Sequence, residues 1–358
     1  MRTRLVPISK LKGHEVLGRH ITTDKGLELI AKGAVLKLEY IKRLAELGIE
    51  EVYITRGGVK LSKEEVYEDV KESVARLIKT HIYKKENDLK DVCILTTQII
   101  ENLLDEELVL KKITEVQNKE ADLYDHLVNV CCLSTLIAVR AGFSRNKVEE
   151  IAKGALLHDI GLKYVSAPYK NVDPESLSKI EESEYKKHAV YGYDTLVDEE
   201  WLGKIAKDII LFHHERNDGT GYPFRFLEGN ISREVQLVGL CDFFDAAISG
   251  IGLRKRPMYL TIEYIKAYAG IKFNQVFVDM LLSMVASYNK GQRVLLSSGE
   301  EAVVIKQNIG LMDRPVVRIL DKTGKECDLS KDLCMFITDV VEWQHLFFYK
   351  RIYFLVKM

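Results

Sequence analysis

The stretch Val148-Glu149-Glu150-Ile151-Ala152-Lys153-Gly154-Ala155-Leu156-Leu157-His158-Asp159-Ile160-Gly161 decides how the middle of this chain folds. From Val148 the apolar side chains recur at i, i+3, i+4 and i+7, the spacing of one face of an α-helix. That helix buries its face and delivers His158 and Asp159 at its C-terminal end. Working outward, residues 127–139 directly follow His126, are apolar nearly all round, and read as a central buried helix. Trp201, Leu202, Ile205, Ile209 and Phe212 form another apolar face that runs straight into His213, and residues 235–248 supply a helix carrying Asp242 and Asp245. Residues 91–288 are therefore expected to be one helical domain.

The periodicity differs on both flanks. Residues 1–60 alternate short β-like runs (16–21, 33–36, 51–54) with glycine punctuation, and an amphipathic helix at 38–47 makes this a small α+β domain. In residues 61–90, Val66, Val70, Val74, Leu77 and Ile78 keep helical spacing among many charges, which predicts a connecting helix. After Asn289-Lys290-Gly291 the runs 293–296, 302–305 and 316–320 are separated by Ser297-Ser298-Gly299 and Asp321-Lys322-Thr323-Gly324. Residues 289–358 accordingly read as a small β-rich unit. The expected fold class is mainly α, with a small α+β domain before the bundle and a small β unit after it.

Bulk properties exclude several partners. At 358 residues, more than one domain is expected. A net charge of −1 offers no global field for long nucleic acid, so any attraction for phosphate must be local. The first residues lack the apolar region of a signal peptide, and no apolar run approaches the roughly 18 residues needed for a transmembrane helix. The tail after Trp343 is broken by Lys350 and Arg351. With six cysteines and no CxxC pair, the chain reads as cytoplasmic, not membrane-inserted, with reduced thiols. Cys131 and Cys132 read as small buried hydrophobes.

Chemistry concentrates in the run His213-His214-Glu215-Arg216-Asn217-Asp218-Gly219-Thr220-Gly221-Tyr222-Pro223. Neighbouring imidazoles followed by a carboxylate suit a site for more than one divalent ion. His158-Asp159 is a second such pair, and together they point to metal-assisted hydrolysis. Taken singly, a His-Asp pair reads as a capped helix end, His126 or His188 as a core histidine, and Asp242 as a capping carboxylate. Taken jointly, five of the nine histidines fall in the candidate core, leaving His14, His20, His81 and His345 outside it.

These residues resemble the HD-GYP family of HD phosphohydrolases, whose members hydrolyse cyclic di-GMP. The likeness runs from about Asp122 to Tyr288. It rests on His126-Leu127-Val128-Asn129-Val130, Leu157-His158-Asp159-Ile160-Gly161, His188-Ala189-Val190-Tyr191-Gly192, the eleven-residue run above, and Cys241-Asp242-Phe243-Phe244-Asp245-Ala246. The resemblance implies one metal held by His126, His158, Asp159 and Asp242, and a second held by His188, His213 and His214, with Asp159 bridging as the central catalytic carboxylate. Metals about 3.5 to 4 Å apart can share a hydroxide that attacks the phosphodiester. The implied product is linear pGpG, with GMP beyond it, and the implied metals are iron or manganese. Asp122, one helical turn before His126, admits a third metal; a helix-start role fits the same position. By the same likeness Tyr222 in the Gly219–Pro223 loop borders the substrate, and that loop is a docking surface for diguanylate-cyclase-type domains.

Two departures mark this chain. Family members commonly carry lysine after His-Asp-Ile-Gly, whereas here Leu162 precedes Lys163. Family sequences also place an Arg-Pro-Tyr-like segment soon after the second aspartate; here Ser249-Gly250-Ile251-Gly252-Leu253 intervenes before Arg254-Lys255-Arg256. Lys163, Arg254, Lys255 and Arg256 are the candidate cations for a doubly anionic substrate, and the glycine-containing loop suggests mobility. Leu162 also leaves open a non-catalytic cyclic-dinucleotide sensor or scaffold, and loop geometry leaves open another cyclic dinucleotide as substrate. A homo-oligomer stays open as well.

Overall fold

The computed structural model describes residues 3–13, 15–22, 28–55, 62–84, 89–173, 176–308 and 310–341. His14, the glycine pair at 57–58, and the hydrophobic tail after Trp343, which closes the proposed β unit, lie outside the described residues. The chain divides into two compact units, residues 1–108 and 109–358.

In the first unit β1 (Thr3–Pro7) pairs antiparallel with β6 (Glu51–Thr55), while β2 (Glu15–Val16) pairs with β5 (Val35–Leu36) and β3 (Ile21–Thr22) with β4 (Glu28–Ile30). The helix α1 (Leu38–Glu46) covers them, and Ile8, Leu17, Leu36, Leu44, Val52 and Ile54 close a small core. The helix α2 (Lys63–Lys84) buries Tyr67, Val70, Val74, Leu77 and Ile78. It packs against α3 (Val92–Gln98) and the wider turn of Ile99–Leu103 that continues it, so in this unit α2 is part of a helical layer.

The helix α4 (Glu106–Val116) runs across the division at Leu108. The bundle that follows is built on α5 (Leu123–Arg140), buried on almost every side as its composition predicts. Its length and hydropathy would suffice to cross a membrane, yet 89% of it lies inside the protein. Against α5 pack α6 (Arg145–Leu157) and, after α7 (Lys179–Lys186), α8 (His188–Leu196) and α9 (Lys204–Phe212), also α10 (Arg233–Ser249). Then come α11 (Met258–Ala267) and α12 (Gln275–Met284). Five antiparallel strands end the described chain: β7 (Arg293–Leu296), β8 (Glu301–Lys306), β9 (Val316–Ile319), β10 (Glu326–Asp328) and β11 (Ile337–Val340), in the order β10-β9-β8-β7-β11. Alternate residues Val294, Leu296, Ala302, Val304, Val317 and Ile319 face one core, the period-2 pattern of a sheet with one buried face. The outcome is a mainly helical bundle with small sheets towards both ends.

One close approach fixes the bundle around its polar centre. After α6 the chain makes a tight turn, Ile160–Lys163, directly under the start of α8. A Cβ on Gly161 would lie 1.9 Å from the His188 carbonyl oxygen and 2.7 Å from the Gly192 nitrogen, atoms that cannot rotate away. Gly161→Ala should therefore cost about 3 kcal/mol or more by overpacking, read as a fall in the denaturant midpoint at constant m-value. An unchanged midpoint would show that α8 is not pressed against this turn.

Candidate metal centre

Helix ends deliver most of the functional side chains. His158 is the C-cap of α6 and His213 the C-cap of α9, while His188 opens α8. His126 and Asp242 sit inside the buried α5 and α10. Each imidazole is oriented through Nδ1. That of His158 meets the Ala155 carbonyl at 2.7 Å, that of His188 the Tyr185 carbonyl at 2.6 Å, and that of His213 the Ile210 carbonyl at 3.0 Å. A carbonyl can only accept, so these Nδ1 atoms carry the proton and Nε2 presents its lone pair inward.

The inward atoms gather in two sets around one carboxylate. Nε2 of His126 and of His158 each lie 3.6 Å from Asp159 Oδ2, while Nε2 of His188 and His213 lie 3.2 and 3.5 Å from Asp159 Oδ1. Asp242 completes the first set, with Oδ1 at 3.3 Å from His126 and 3.4 Å from His158. His214 joins the second, its Nε2 at 3.0 Å from that of His188. Asp159 thus stands between His126 and His158 on one side and His188, His213 and His214 on the other.

Two observations test whether this set fits divalent cations. Asp159 Oδ1 and Asp242 Oδ2 are fully buried and have no hydrogen-bond partner, an arrangement that costs several kcal/mol unless a cation supplies the missing charge. The facing Nε2 atoms are 3.2 Å apart for His126 and His158 and 3.4 Å for His188 and His213. Two imidazole nitrogens bound at about 2.1 Å to one ion, at an angle near 100°, would stand about 3.2 Å apart. The residues fit the group.

The electrostatics agree. Burial works against ionisation of Asp159, but His158, His188 and His213 outweigh it and hold its pKa well below the usual carboxylate range. Asp242 behaves likewise, through His126, His158 and His214 against the same burial. Burial disfavours charge on His126 as well, yet hydrogen bonds to Asp242 and Asp245 lift its pKa to about 10. Burial keeps His213 and, more strongly, His214 below the ordinary histidine value.

Asp245 was read from the sequence only as a member of its helix. Fully buried, it lies 2.7 Å from His126 Nδ1 and accepts from Asn129 Nδ2 at 3.1 Å. The signal for it was present: Asp242 and Asp245 are three residues apart on α10, as His126 and Asn129 are on α5, so each pair shares a helix face. Tyr185 was missed too, and its ring centroid is 4.9 Å from that of His188.

Other expectations need correcting. Asp122 is the N-cap of α5, its Oδ1 accepting from the backbone of Tyr124 at 3.1 Å and Asp125 at 2.9 Å, and it is absent from both ligand sets. Glu215 turns from the histidines it follows to accept from the backbone of Phe224, Arg225 and Phe226 at 2.7 to 3.1 Å. It holds the loop that carries Tyr222, whose ring stacks on His214 at 4.5 Å. Arg216 donates to the carbonyls of His213 and Glu215, while Asp218 accepts from the backbone of Thr220.

The basic candidates are dispersed. Lys163 lies 5.2 Å over the Tyr124 ring, and Leu162 is buried in the turn. The Lys255 ammonium donates to the carbonyls of Val116, Gln117 and Lys119, which satisfies the end of α4 rather than a ligand. Arg254 is exposed and Arg256 half-buried. The glycine-containing loop is pinned, against the expectation of mobility: Asn171 N donates to Gly250 O at 2.6 Å, Gly252 N to Tyr169 O at 2.6 Å, and Lys255 N to Asn171 Oδ1 at 2.9 Å.

Two outcomes follow from the geometry. Asp245→Asn should weaken divalent-metal affinity about 10- to 100-fold, because it unfixes the His126 ring; competition with a chelator measures it, and unchanged affinity would remove Asp245 from the centre. In metal-free protein the His126 pKa stands above its unfolded value of 6.5, so its stabilisation is complete below that pH and is lost as pH rises through about 10. Asp159 and Asp242, both lowered from 3.8, stabilise above that value and lose their contribution as pH falls through the folded pKa. Cation binding near neutral pH must displace the His126 proton. Calorimetry in two buffers of different ionisation enthalpy should register that release, and a buffer-independent heat would contradict ligation by His126.

Comparison with known proteins places this arrangement. Residues 102–275 match the family described as an HD domain. The chain is 30% identical over 228 residues to a cyclic di-GMP phosphodiesterase of Pseudomonas aeruginosa, covering 63% of this chain and 54% of that protein. It is 32% identical over 149 residues to the cyclic di-GMP phosphodiesterase response regulator RpfG of Xanthomonas campestris, covering 41% and 39%. Over 142 residues it is 29% identical to a 3'3'-cGAMP-specific phosphodiesterase of Vibrio cholerae, covering 39% and 27%. The chain thus spans about half, or less, of the length of these curated relatives.

Proposed function

We propose that this chain, whose residues 102–275 match the HD domain family, is a metal-dependent phosphodiesterase of the HD-GYP type. It opens cyclic di-GMP to linear pGpG and carries part of the product on to GMP. The observation that carries the reading is Asp159, one buried carboxylate flanked by histidines on each of its two oxygens. The names of the relatives from Pseudomonas and Xanthomonas support the substrate class.

His126, His158 and Asp242 would hold one divalent cation, His188, His213 and His214 another, and Asp159 both. When bound, such a pair supplies Lewis acidity, which polarises the phosphodiester and makes an attacking water acidic. Nitrogen and carboxylate donors without thiolate suit iron and manganese. The protein's own part is orientation. The Nδ1 bonds fix the rings of His158, His188 and His213, Asp245 and Asn129 lock His126, and Glu215 holds the loop that stacks Tyr222 on His214. Cyclic GMP-AMP is the second substrate reading, favoured by the Vibrio relative.

Asp159→Ala and His158→Ala should each lose bound metal and at least about 100-fold of cyclic di-GMP turnover together, followed by elemental analysis and product chromatography. Full turnover by metal-depleted Asp159→Ala would refute the reading. Metal-replete wild type that binds cyclic di-GMP and turns over no cyclic dinucleotide would make the chain a sensor instead.

A further inference from the structure

We propose that Tyr185 is a substrate-contacting residue, its hydroxyl donating a hydrogen bond to a phosphoryl oxygen at the mouth of the histidine-aspartate cluster. The inference rests on the phosphodiesterase reading for the identity of that anion. The side chains of His126, His158, His188 and His213 retain no exposure, whereas that of His214 keeps 14%, so the cluster meets solvent on the His214 side. Tyr185 stands on that side, its ring centroid 4.9 Å from His188 and 6.5 Å from His214.

The hydroxyl is held between two chain segments distant in sequence. On one side it interacts with the hydroxyl of Tyr222, which is stacked on His214. On the other lies Gly252, where a Cβ would fall 2.2 Å from Tyr185 Oη. Gly252 has φ +68°, so glycine serves both the backbone conformation and the close approach. The loop carrying it is fixed by the backbone bonds to Tyr169 and Asn171 described above, so this wall does not retreat. Behind the ring, the Tyr185 carbonyl receives His188 Nδ1, which ties the phenol to a ligand of the second set.

The neighbouring cations are directed elsewhere. Arg216 donates to the carbonyls of His213 and Glu215, and Lys255 to those at the end of α4. Lys163 lies over Tyr124, and Lys186 lies 5.6 Å over the outer ring of Tyr222. A phenol facing an anion is then a donor the mouth offers. A phenol ordinarily keeps its proton at neutral pH, so Tyr185 enters as a donor to phosphate. In the bound complex its own proton goes to a phosphoryl oxygen, a charge-assisted hydrogen bond.

The test is Tyr185→Phe in the full chain, with wild type and Gly252→Ala beside it. Tyr185→Phe should keep its metal content and thermal midpoint while kcat/KM for cyclic di-GMP falls about 10- to 100-fold, the range for one hydrogen bond to a charged group. The loss should appear chiefly in KM. Binding of inorganic phosphate to the metal-loaded protein should weaken by a similar factor. Gly252→Ala, which displaces the hydroxyl, should reproduce the loss, and the double variant should add little to either single one. Unchanged kcat/KM and phosphate affinity in metal-replete Tyr185→Phe would overturn the inference, as would loss of metal, which would make the residue a support of His188 alone. Wild type with no turnover of any cyclic dinucleotide would sink the functional reading, and the phosphate measurement would still decide the tyrosine.

Discussion

The structure depends on a buried carboxylate that its own protein cannot satisfy. Asp159 is almost fully enclosed, and its Oδ1 finds no hydrogen-bond donor although two imidazoles stand within 3.5 Å. Those imidazoles have committed their Nδ1 protons to helix carbonyls, so lone pairs face lone pairs. In a low-dielectric interior such an arrangement is unfavourable by itself. The bundle must hold it against relaxation, and the close contacts around it do so: Gly161 beneath the His188 carbonyl and Gly239 beneath the His213 carbonyl leave no room for either ligand helix to shift. The tight packing of the core and the electron-rich centre are two sides of one constraint.

Most of this was legible in the sequence because it follows from periodicity. The apolar faces ending at Leu157 and Phe212 place His158 and His213 at helix C-termini, and both helices stop there. The all-round apolar character of residues 127–139 marked α5 as central. The runs near 294, 303 and 317 became β7, β8 and β9. What was not legible was short or lacked a period. Thr3–Pro7 contains a basic residue and a proline, which hide its pairing with β6. The strands Glu326–Asp328 and Ile337–Val340 each carry polar residues and are defined by their partners rather than by their own pattern.

At the site, residue type predicted membership better than orientation. Glu215 directly follows two candidate ligands, but the backbone turns it towards the amides of Phe224 to Phe226. Lys255 looked like a phosphate clamp because it sits in a run of three cations, yet its long side chain reaches the end of α4, where carbonyls lack intrahelical donors. Asp122 has the right helical offset from His126, but a carboxylate at the first residue before a helix is drawn to the free amide groups there. In each case a local backbone demand won over a longer-range electrostatic one, and neither spacing nor composition records that competition.

The same competition explains how the centre is organised beyond its ligands. A cation-poor mouth would repel an anionic substrate if the carboxylates carried uncompensated charge, so substrate approach requires their charge to be neutralised first. Arg216 contributes to this from behind. It is half-buried, and its charge acts on Asp242 and His214 while its donors are held by the carbonyls of His213 and Glu215. On the phosphodiesterase reading, that would leave neutral donors and metal cations, rather than mobile lysines, to meet phosphate. A rigid mouth of this kind selects by shape and hydrogen-bond geometry, since a hydroxyl held between Tyr222 and Gly252 cannot follow a misplaced oxygen as a lysine ammonium could.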